Sequence, residues 1–214
     1  MGLIAMNLEV IWEMSVQGFW QVHQRTLFGG MRTLRAICPI CGLTWLVTPA
    51  LPDQTDPRLD DLFAHLKDVS GPAEAAPTEQ QIWAIWLEAS DPAVGSLMQS
   101  GIDDMNRRDH PAALEAFDQV VAIAPDFAEG WNKRATVHYL MGNLNKSLED
   151  IARTLELEPR HFGALSGRGL VYAKLDDLER ALDSFEAAVA VNPQMVGPRI
   201  NAEAIRQILK GREI

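Results

Sequence analysis

Apolar residues recur at helical spacing through most of the second half of the chain. Leu114, Phe117 and Val121 fall on one face, and the segment 181–189 repeats this arrangement. Side chains three or four residues apart share one face of an α-helix. Charged residues lie largely on the other side of these segments. The pattern therefore predicts amphipathic helices that pack through their apolar faces.

Three prolines interrupt this pattern at a constant interval. Pro125, Pro159 and Pro193 are equally spaced along the chain, and each follows an apolar helical segment. Proline has no amide donor and restricts the residue before it, so each proline marks the end of a helix. The interval divides this part of the chain into three segments of equal length, 94–127, 128–161 and 162–195.

Equivalent positions of the three segments carry similar side chains. The eighth position is always small, with Gly101, Ala135 and Gly169. The twenty-fourth is always large and apolar, with Phe117, Ile151 and Phe185. A segment of this length and pattern resembles the tetratricopeptide repeat (TPR), a helix–turn–helix unit of about 34 residues. The resemblance implies an all-α fold, a right-handed superhelical solenoid of about four repeats with a C-terminal capping helix.

The segments on either side continue the pattern less completely. Residues 60–93 stay in register, but Lys67 and Glu79 stand where the full repeats have small residues. We expect a degenerate repeat that caps the N-terminal end of the solenoid, joined to the preceding chain by a linker at 51–59. Residues 196–214 keep one apolar stripe, which predicts a single capping helix with a solvated outer face.

The first fifty residues follow a different pattern. From Met31 the order is basic, apolar, small and polar, which is typical of a secretory signal peptide. We expect residues 31–50 to be that signal and residues 1–30 to be an upstream extension from a misplaced start. The prediction is a periplasmic or otherwise exported protein, with a cytoplasmic location as the alternative. The apolar run is too short to give a stable membrane span.

Cys38 and Cys41 form a Cys-x-x-Cys pair inside that apolar run. Alone, the pair resembles a thioredoxin redox motif, but no strand pattern surrounds it to place the first thiol at a helix start. A four-cysteine zinc site needs a second pair, and the sequence has only two cysteines. A redox protein is therefore the less favoured hypothesis, and we expect no metal and no cofactor.

The net charge of −10 belongs to the repeats. Residues 1–50 have three arginines and two glutamates, so residues 51–214 hold the other 16 basic and 27 acidic groups, a net charge of −11. An acidic surface repels phosphate backbones, which argues against nucleic acid as a partner. Basic peptides are compatible with it.

The polar residues of the sequence form no catalytic constellation. The five histidines make no pair at metal-ligand spacing, and the sequence has no glycine-rich phosphate loop and no nucleophile elbow. We therefore expect neither an enzyme nor a small-molecule substrate.

Proteins of the family that the repeats resemble bind partners along a concave surface made by the first helix of each repeat. The resemblance therefore implies a groove, and the matching positions are Met98, Gln99, Ile102, Met105, Asn132, Lys133, Thr136, Tyr139, Ser166, Leu170 and Lys174. Asn132 and Lys133 match part of a clamp with which some members hold a peptide's C-terminal carboxylate. The neighbouring repeats do not complete that clamp, so we carry over no specific peptide.

Two functions follow from this interpretation. The first is a non-catalytic protein- or peptide-binding scaffold, or adaptor, that uses the concave groove. The alternative is a structural or assembly component of an envelope complex that binds through its convex face. The stretches 127–136 and 158–165 also resemble a subfamily of exported bacterial repeat proteins, a likeness that defines the fold better than the function.

Overall fold

The computed structural model describes residues 54–212, which lie in one compact unit. The upstream extension, the signal segment and the Cys38–Cys41 pair fall outside the described residues, so those expectations stay predictions. The division of the chain into domains also stays a prediction. Within the described part, no helix combines the length and the apolar character that a membrane span requires.

The regular structure of residues 54–212 is entirely α-helical, which confirms the predicted fold class. The helices follow one another as α1 (Arg58–Asp68), α2 (Pro72–Leu87), α3 (Pro92–Asn106), α4 (His110–Ile123), α5 (Ala128–Leu140), α6 (Leu144–Leu157), α7 (Phe162–Lys174), α8 (Leu178–Val191) and α9 (Val196–Arg212). From α3 onward, each helix packs mainly against its neighbours in the chain, so three helical pairs stack in sequence and α9 covers the last pair.

The two helices of a pair cross where a glycine faces a phenylalanine. An ideal Cβ built on Gly169 of α7 would lie 2.6 Å from a ring carbon of Phe185 on α8. Gly101 of α3 meets Phe117 of α4 at the same calculated distance. Both rings are fully buried, so neither can move aside without disturbing the core. The small eighth position of the repeat is therefore a packing requirement.

We predict that Gly169→Ala lowers the free energy of unfolding by about 1–3 kcal/mol, because the added methyl group overpacks the crossing. The middle pair solves the same problem with Ala135 and Ile151, which share a buried cluster. Combining Gly169→Ala with Phe185→Ile should therefore cost less than the sum of the two single changes. Urea unfolding of the three variants measures this coupling, and strict additivity would contradict it.

The turn between the two helices of each pair requires a left-handed residue. Arg108, Gly142 and Asp176 have φ angles of 62°, 79° and 59°, and each occupies the same position of its repeat. The backbone conformation of the turn therefore repeats with the same 34-residue period as the sequence. Only glycine adopts this region without steric cost, and other residues lose roughly 1–2 kcal/mol there.

Gly142→Ala should lower the free energy of unfolding by about 1–2 kcal/mol. The cost comes from the backbone alone, because a Cβ at this position meets no atom within 4 Å. Gly95→Ala in α3 is the matched control, since its Cβ also enters open space but its φ is ordinary. We expect the control to gain about 0.4–1 kcal/mol. Equal effects of the two changes in thermal unfolding would be incompatible with this explanation.

The hairpin of α1 and α2 has a different position from the one expected for an N-terminal cap. It packs against α5 and the turns that precede α7 and α9, instead of stacking mainly on α3. The physical reason is its side chains. Phe63, Trp83 and Trp86 need an apolar partner and find Phe162 at the start of α7. Glu79, which stands at a small-residue position, hydrogen-bonds to Asn192 instead of packing.

The hairpin has an apolar core that it closes against the repeats. The buried members are Leu59, Phe63, Leu66, Val69, Ala75, Ile82, Ile85, Trp86 and Phe162. Phe162 alone among them comes from a full repeat, with Val191 and Met195 partly buried beside it. Each buried large apolar side chain contributes about 1.5–3 kcal/mol, so removal of the hairpin from this surface is costly.

Candidate functional site

The eleven predicted groove residues lie on α3, α5 and α7, the first helices of the three pairs. Helix α5 lies between the other two and contacts both. Five side chains are buried, namely Met98, Ile102, Asn132, Lys133 and Leu170. Six are at least partly exposed, namely Gln99, Met105, Thr136, Tyr139, Ser166 and Lys174. Partner binding by these residues stays a prediction.

Glu129, in the first turn of α5, is the centre of a buried polar cluster. One carboxylate oxygen accepts hydrogen bonds from Asn132 Nδ2 and from His161 Nε2, both at 2.9 Å. Lys133 Nζ lies 2.9 Å from the other oxygen, in the geometry of an ion pair and not of an aligned hydrogen bond. Because His161 immediately precedes α7, the cluster joins the second full repeat to the third.

The hydrogen bonds of His161 determine its tautomer. The backbone N–H of Ala164 donates to His161 Nδ1 at 3.0 Å, so this nitrogen carries no proton. The proton is therefore on Nε2, which donates to Glu129. The neutral ring thus caps α7 with one nitrogen and orients the carboxylate with the other.

The charge of Glu129 is stabilised despite its burial. Desolvation raises the pKa of this carboxyl, but the Lys133 ammonium and the hydrogen bond from His161 outweigh it, so the pKa lies below its usual range. The negative charge of the Glu129 carboxylate and the positive charge of the Lys133 ammonium offset each other. Lys133 is therefore engaged by Glu129, and the partial clamp that the sequence suggests is not presented to a partner in this structure.

Helix α2 covers this cluster with two tryptophans. The Trp83 ring lies over Lys133, with the ammonium 5.5 Å from the ring centroid. Trp86 stacks on His161, with ring centroids 4.2 Å apart and an interplanar angle of 11°. Gly163 leaves room for the Trp83 ring, because an ideal Cβ there would lie only 2.6 Å from Trp83 Cη2.

Polar contacts hold the hairpin at the turns between repeats. Asn192 Nδ2 donates to Glu79 Oε1 at 2.6 Å, and Gln194 Nε2 donates to the Val69 carbonyl at 2.8 Å. Burial raises the pKa of the Glu79 carboxyl, although the bond from Asn192 opposes that shift. The proline-containing turns, which the repeat pattern marks only as helix ends, are therefore also the docking points of the hairpin.

A second part of the predicted groove remains accessible beyond the hairpin. We call Thr136, Tyr139 and Lys174 of the predicted set, together with the adjoining Leu140, the open groove. Lys174 Nζ lies 4.8 Å from the centroid of the Tyr139 ring, a cation–π contact that links α5 to α7. Leu140 is 38% exposed. The structure thus brings aromatic area and an ammonium group together, and an exposed aliphatic side chain follows Tyr139 in the sequence.

A second charged cluster, around Arg134, is structural in character. Arg134 donates two hydrogen bonds to Asp150, at 2.8 and 2.7 Å, and a third to Asp118, so it ties α4, α5 and α6 together. Burial lowers the pKa of the neighbouring His138, which keeps the ring neutral near pH 7. Among residues 54–212, no group of histidine, cysteine and carboxylate side chains could hold a metal ion.

Sequence reasoning misses the residues that surround Glu129, namely His161 and the two tryptophans of α2 that cover the cluster. The repeat pattern assigns Trp83 and Trp86 to the core of a terminal repeat, and His161 to a turn. One signal was available, because Glu129 and Lys133 are four residues apart on a predicted helix and so can pair. Their burial depends on a hairpin from elsewhere in the chain, which a repeat pattern does not encode.

Comparisons with known proteins agree with this architecture. Residues 134–195 match the tetratricopeptide repeat family. A TPR repeat-containing protein of Rhizobium etli is 37% identical over 136 residues, which cover 64% of this chain and 67% of that protein. Protein bimA of Emericella nidulans is 30% identical over 88 residues, but they cover only 11% of its length and 41% of this chain.

Solved structures with a similar fold are TPR domains. The Sgt2 TPR domain of Aspergillus fumigatus has a TM-score of 0.55 and 21% identity, covering 58% of this chain and 84% of that one. The first TPR domain of Spaghetti (RPAP3), solved with a bound HSP90 peptide, has a TM-score of 0.54 and 18% identity. Its match covers 55% of this chain and 94% of that domain. At these identities the likeness concerns the fold alone.

We expect Glu129→Gln to lower the free energy of unfolding by about 3–5 kcal/mol, because it leaves the Lys133 ammonium buried without a counter-charge. The double change with Lys133→Met removes both charges and should cost less than Glu129→Gln alone. Glu156→Gln is the control, since its pair with Arg153 is largely exposed and should contribute about 1 kcal/mol or less. Urea unfolding followed by tryptophan fluorescence gives the three values. A double variant that loses as much stability as Glu129→Gln alone, or more, would contradict the pairing.

Proposed function

Because the chain belongs to the tetratricopeptide repeat proteins, we propose that it is a non-catalytic scaffold that binds a peptide or protein along the first helices of its repeats. The observation that supports this most directly is the open groove. Its residues lie on neighbouring first helices and remain accessible, although the hairpin covers the adjacent part of the same face.

The side chains of the open groove suit an extended segment with apolar and acidic groups. Tyr139 offers a flat apolar area with a polar tip, and such residues often anchor interfaces. Lys174 supplies a positive charge in an otherwise acidic protein. Leu140 adds aliphatic surface at the end of α5. Asn132 and Lys133 are not part of the proposed contact, because both are bound to Glu129 beneath α2.

A peptide selected by phage display on the wild-type protein provides the test. Changing Tyr139 and Lys174 together to alanine should weaken binding of that peptide tenfold or more, because truncation of an aromatic anchor costs about 2 kcal/mol or more. The matched control changes Glu179 and Asp183, which are exposed on α8. Isothermal titration calorimetry compares the two variants after circular dichroism has shown that both remain folded.

The alternative role, assembly through the convex face, predicts the opposite result. If the α8 variant loses the peptide and the groove variant retains it, the groove proposal is wrong. The convex face then becomes the binding surface.

A further inference from the structure

Helix α2 lies across the repeats in the way that a bound helix lies along a groove. Glu79, near its middle, contacts Asn192 before α9. Trp86, about two turns further along, stacks on His161 before α7, and Trp83 reaches α5. The helix therefore runs opposite to the chain order of the repeats and extends from the last turn back to the second full repeat.

The stacked repeats have their own cores without this helix. Phe117 and Phe185 are fully buried at the crossings within their own pairs. Ala135, Ile151, Ala164 and Val171 form a separate buried cluster between the middle pair and the next. Since Phe162 is the one fully buried repeat residue in the hairpin cluster, α2 lies on a surface that the repeats form by themselves.

That surface has the features of a preorganised receptor. Lys133 and His161 are held in place through Glu129, and the His161 ring is also fixed by the N–H of Ala164. The ring therefore presents its face to Trp86 in a defined orientation. A receptor whose polar groups are already hydrogen-bonded loses little conformational entropy when an aromatic side chain binds.

We propose that the surface covered by α2 is a helix-binding site whose external ligand is an amphipathic α-helix of a partner protein. The required helix carries two large aromatic residues at i and i+3, like Trp83 and Trp86, and an acidic residue one turn earlier, like Glu79. Helix α2 is the internal ligand of this site. The inference rests on the proposed function, because it names a partner class for the same concave face.

The short connection between α2 and the repeats sets the affinity that a competing helix must exceed. Only residues 88–91 separate α2 from α3, and segments joined by short linkers have effective concentrations in the millimolar range. A free helix with the same contacts therefore competes poorly. A partner helix must make additional contacts, and the open groove beside the site, with Tyr139 and Lys174, offers them.

The test uses the full chain and a fluorescent synthetic peptide with the sequence of residues 56–88 as the probe. Trp83→Ala in the full chain weakens the internal ligand but leaves the repeat surface unchanged. Gln81→Ala, at an exposed position of the same helix, is the matched control. Fluorescence anisotropy gives the affinity of the probe for each chain, and a second probe carries alanine at both tryptophan positions.

We expect the Trp83→Ala chain to bind the probe at least tenfold more tightly than the wild-type and Gln81→Ala chains do, because more of its sites are open. The alanine probe should bind none of them. Equal affinity for all three chains, or equal binding of the two probes, overturns the proposal. If Trp83→Ala loses helical signal beyond the hairpin, Trp83→Leu replaces it with the same expected order of affinities.

Failure of this inference can be separated from failure of the scaffold function. If Tyr139→Ala with Lys174→Ala abolishes peptide binding while Trp83→Ala leaves probe affinity unchanged, the groove binds partners but the covered surface does not. If the α8 variant abolishes peptide binding and Trp83→Ala still increases probe affinity, the helix site exists and the open-groove proposal is wrong.

Discussion

The close crossing of the two helices in each pair is the contact on which the rest of the structure depends. A glycine facing a buried phenylalanine, as in Gly169 and Phe185, lets the backbones approach to a distance that a larger side chain would prevent. The left-handed turn that precedes the second helix brings the chain back into this crossing. Repetition of the same crossing in each repeat places the first helices side by side. The groove therefore results from the repetition of these local contacts, and it needs no special contact for each residue that lines it.

The sequence predicted most of this architecture because the repeat is local. Prolines, small eighth positions and large twenty-fourth positions act within one unit, so their spacing specifies the three pairs and the all-α class. The hairpin follows the same period, which explains the expectation that it stacks like a repeat. Its side chains favour another partner, since Glu79 and the aromatic residues cannot form the close crossing. Contacts with the later turns therefore decide where the hairpin packs, although its sequence keeps the register of the repeat.

The candidate site was predicted only in part, for a related reason. Positions on the first helices identify which residues can face the groove, and all eleven lie on those helices. Exposure is a property of the whole chain, however. Lys133 is buried with the Trp83 ring of the hairpin over it, and Asn132 is buried beside it through its bond to Glu129, whereas Tyr139 and Lys174 remain accessible. The Glu129 carboxylate is a second reason, since it offsets the charge of Lys133, a residue that the family pattern would assign to ligand contact.

The docked hairpin also determines the order in which parts of the chain can fold during synthesis. Its polar contacts join Asp60 to Arg160, Glu79 to Asn192 and Val69 to Gln194, across 100, 113 and 125 residues of sequence. The full repeats close through neighbours and can fold as they leave the ribosome, whereas contacts at large sequence separation form late. The hairpin is translated before the full repeats, and its tryptophans have no surface to cover them until the turn that carries His161 and Phe162 has emerged. During that interval the nascent chain exposes an aromatic surface, and this is the period in which a chaperone would protect it from aggregation.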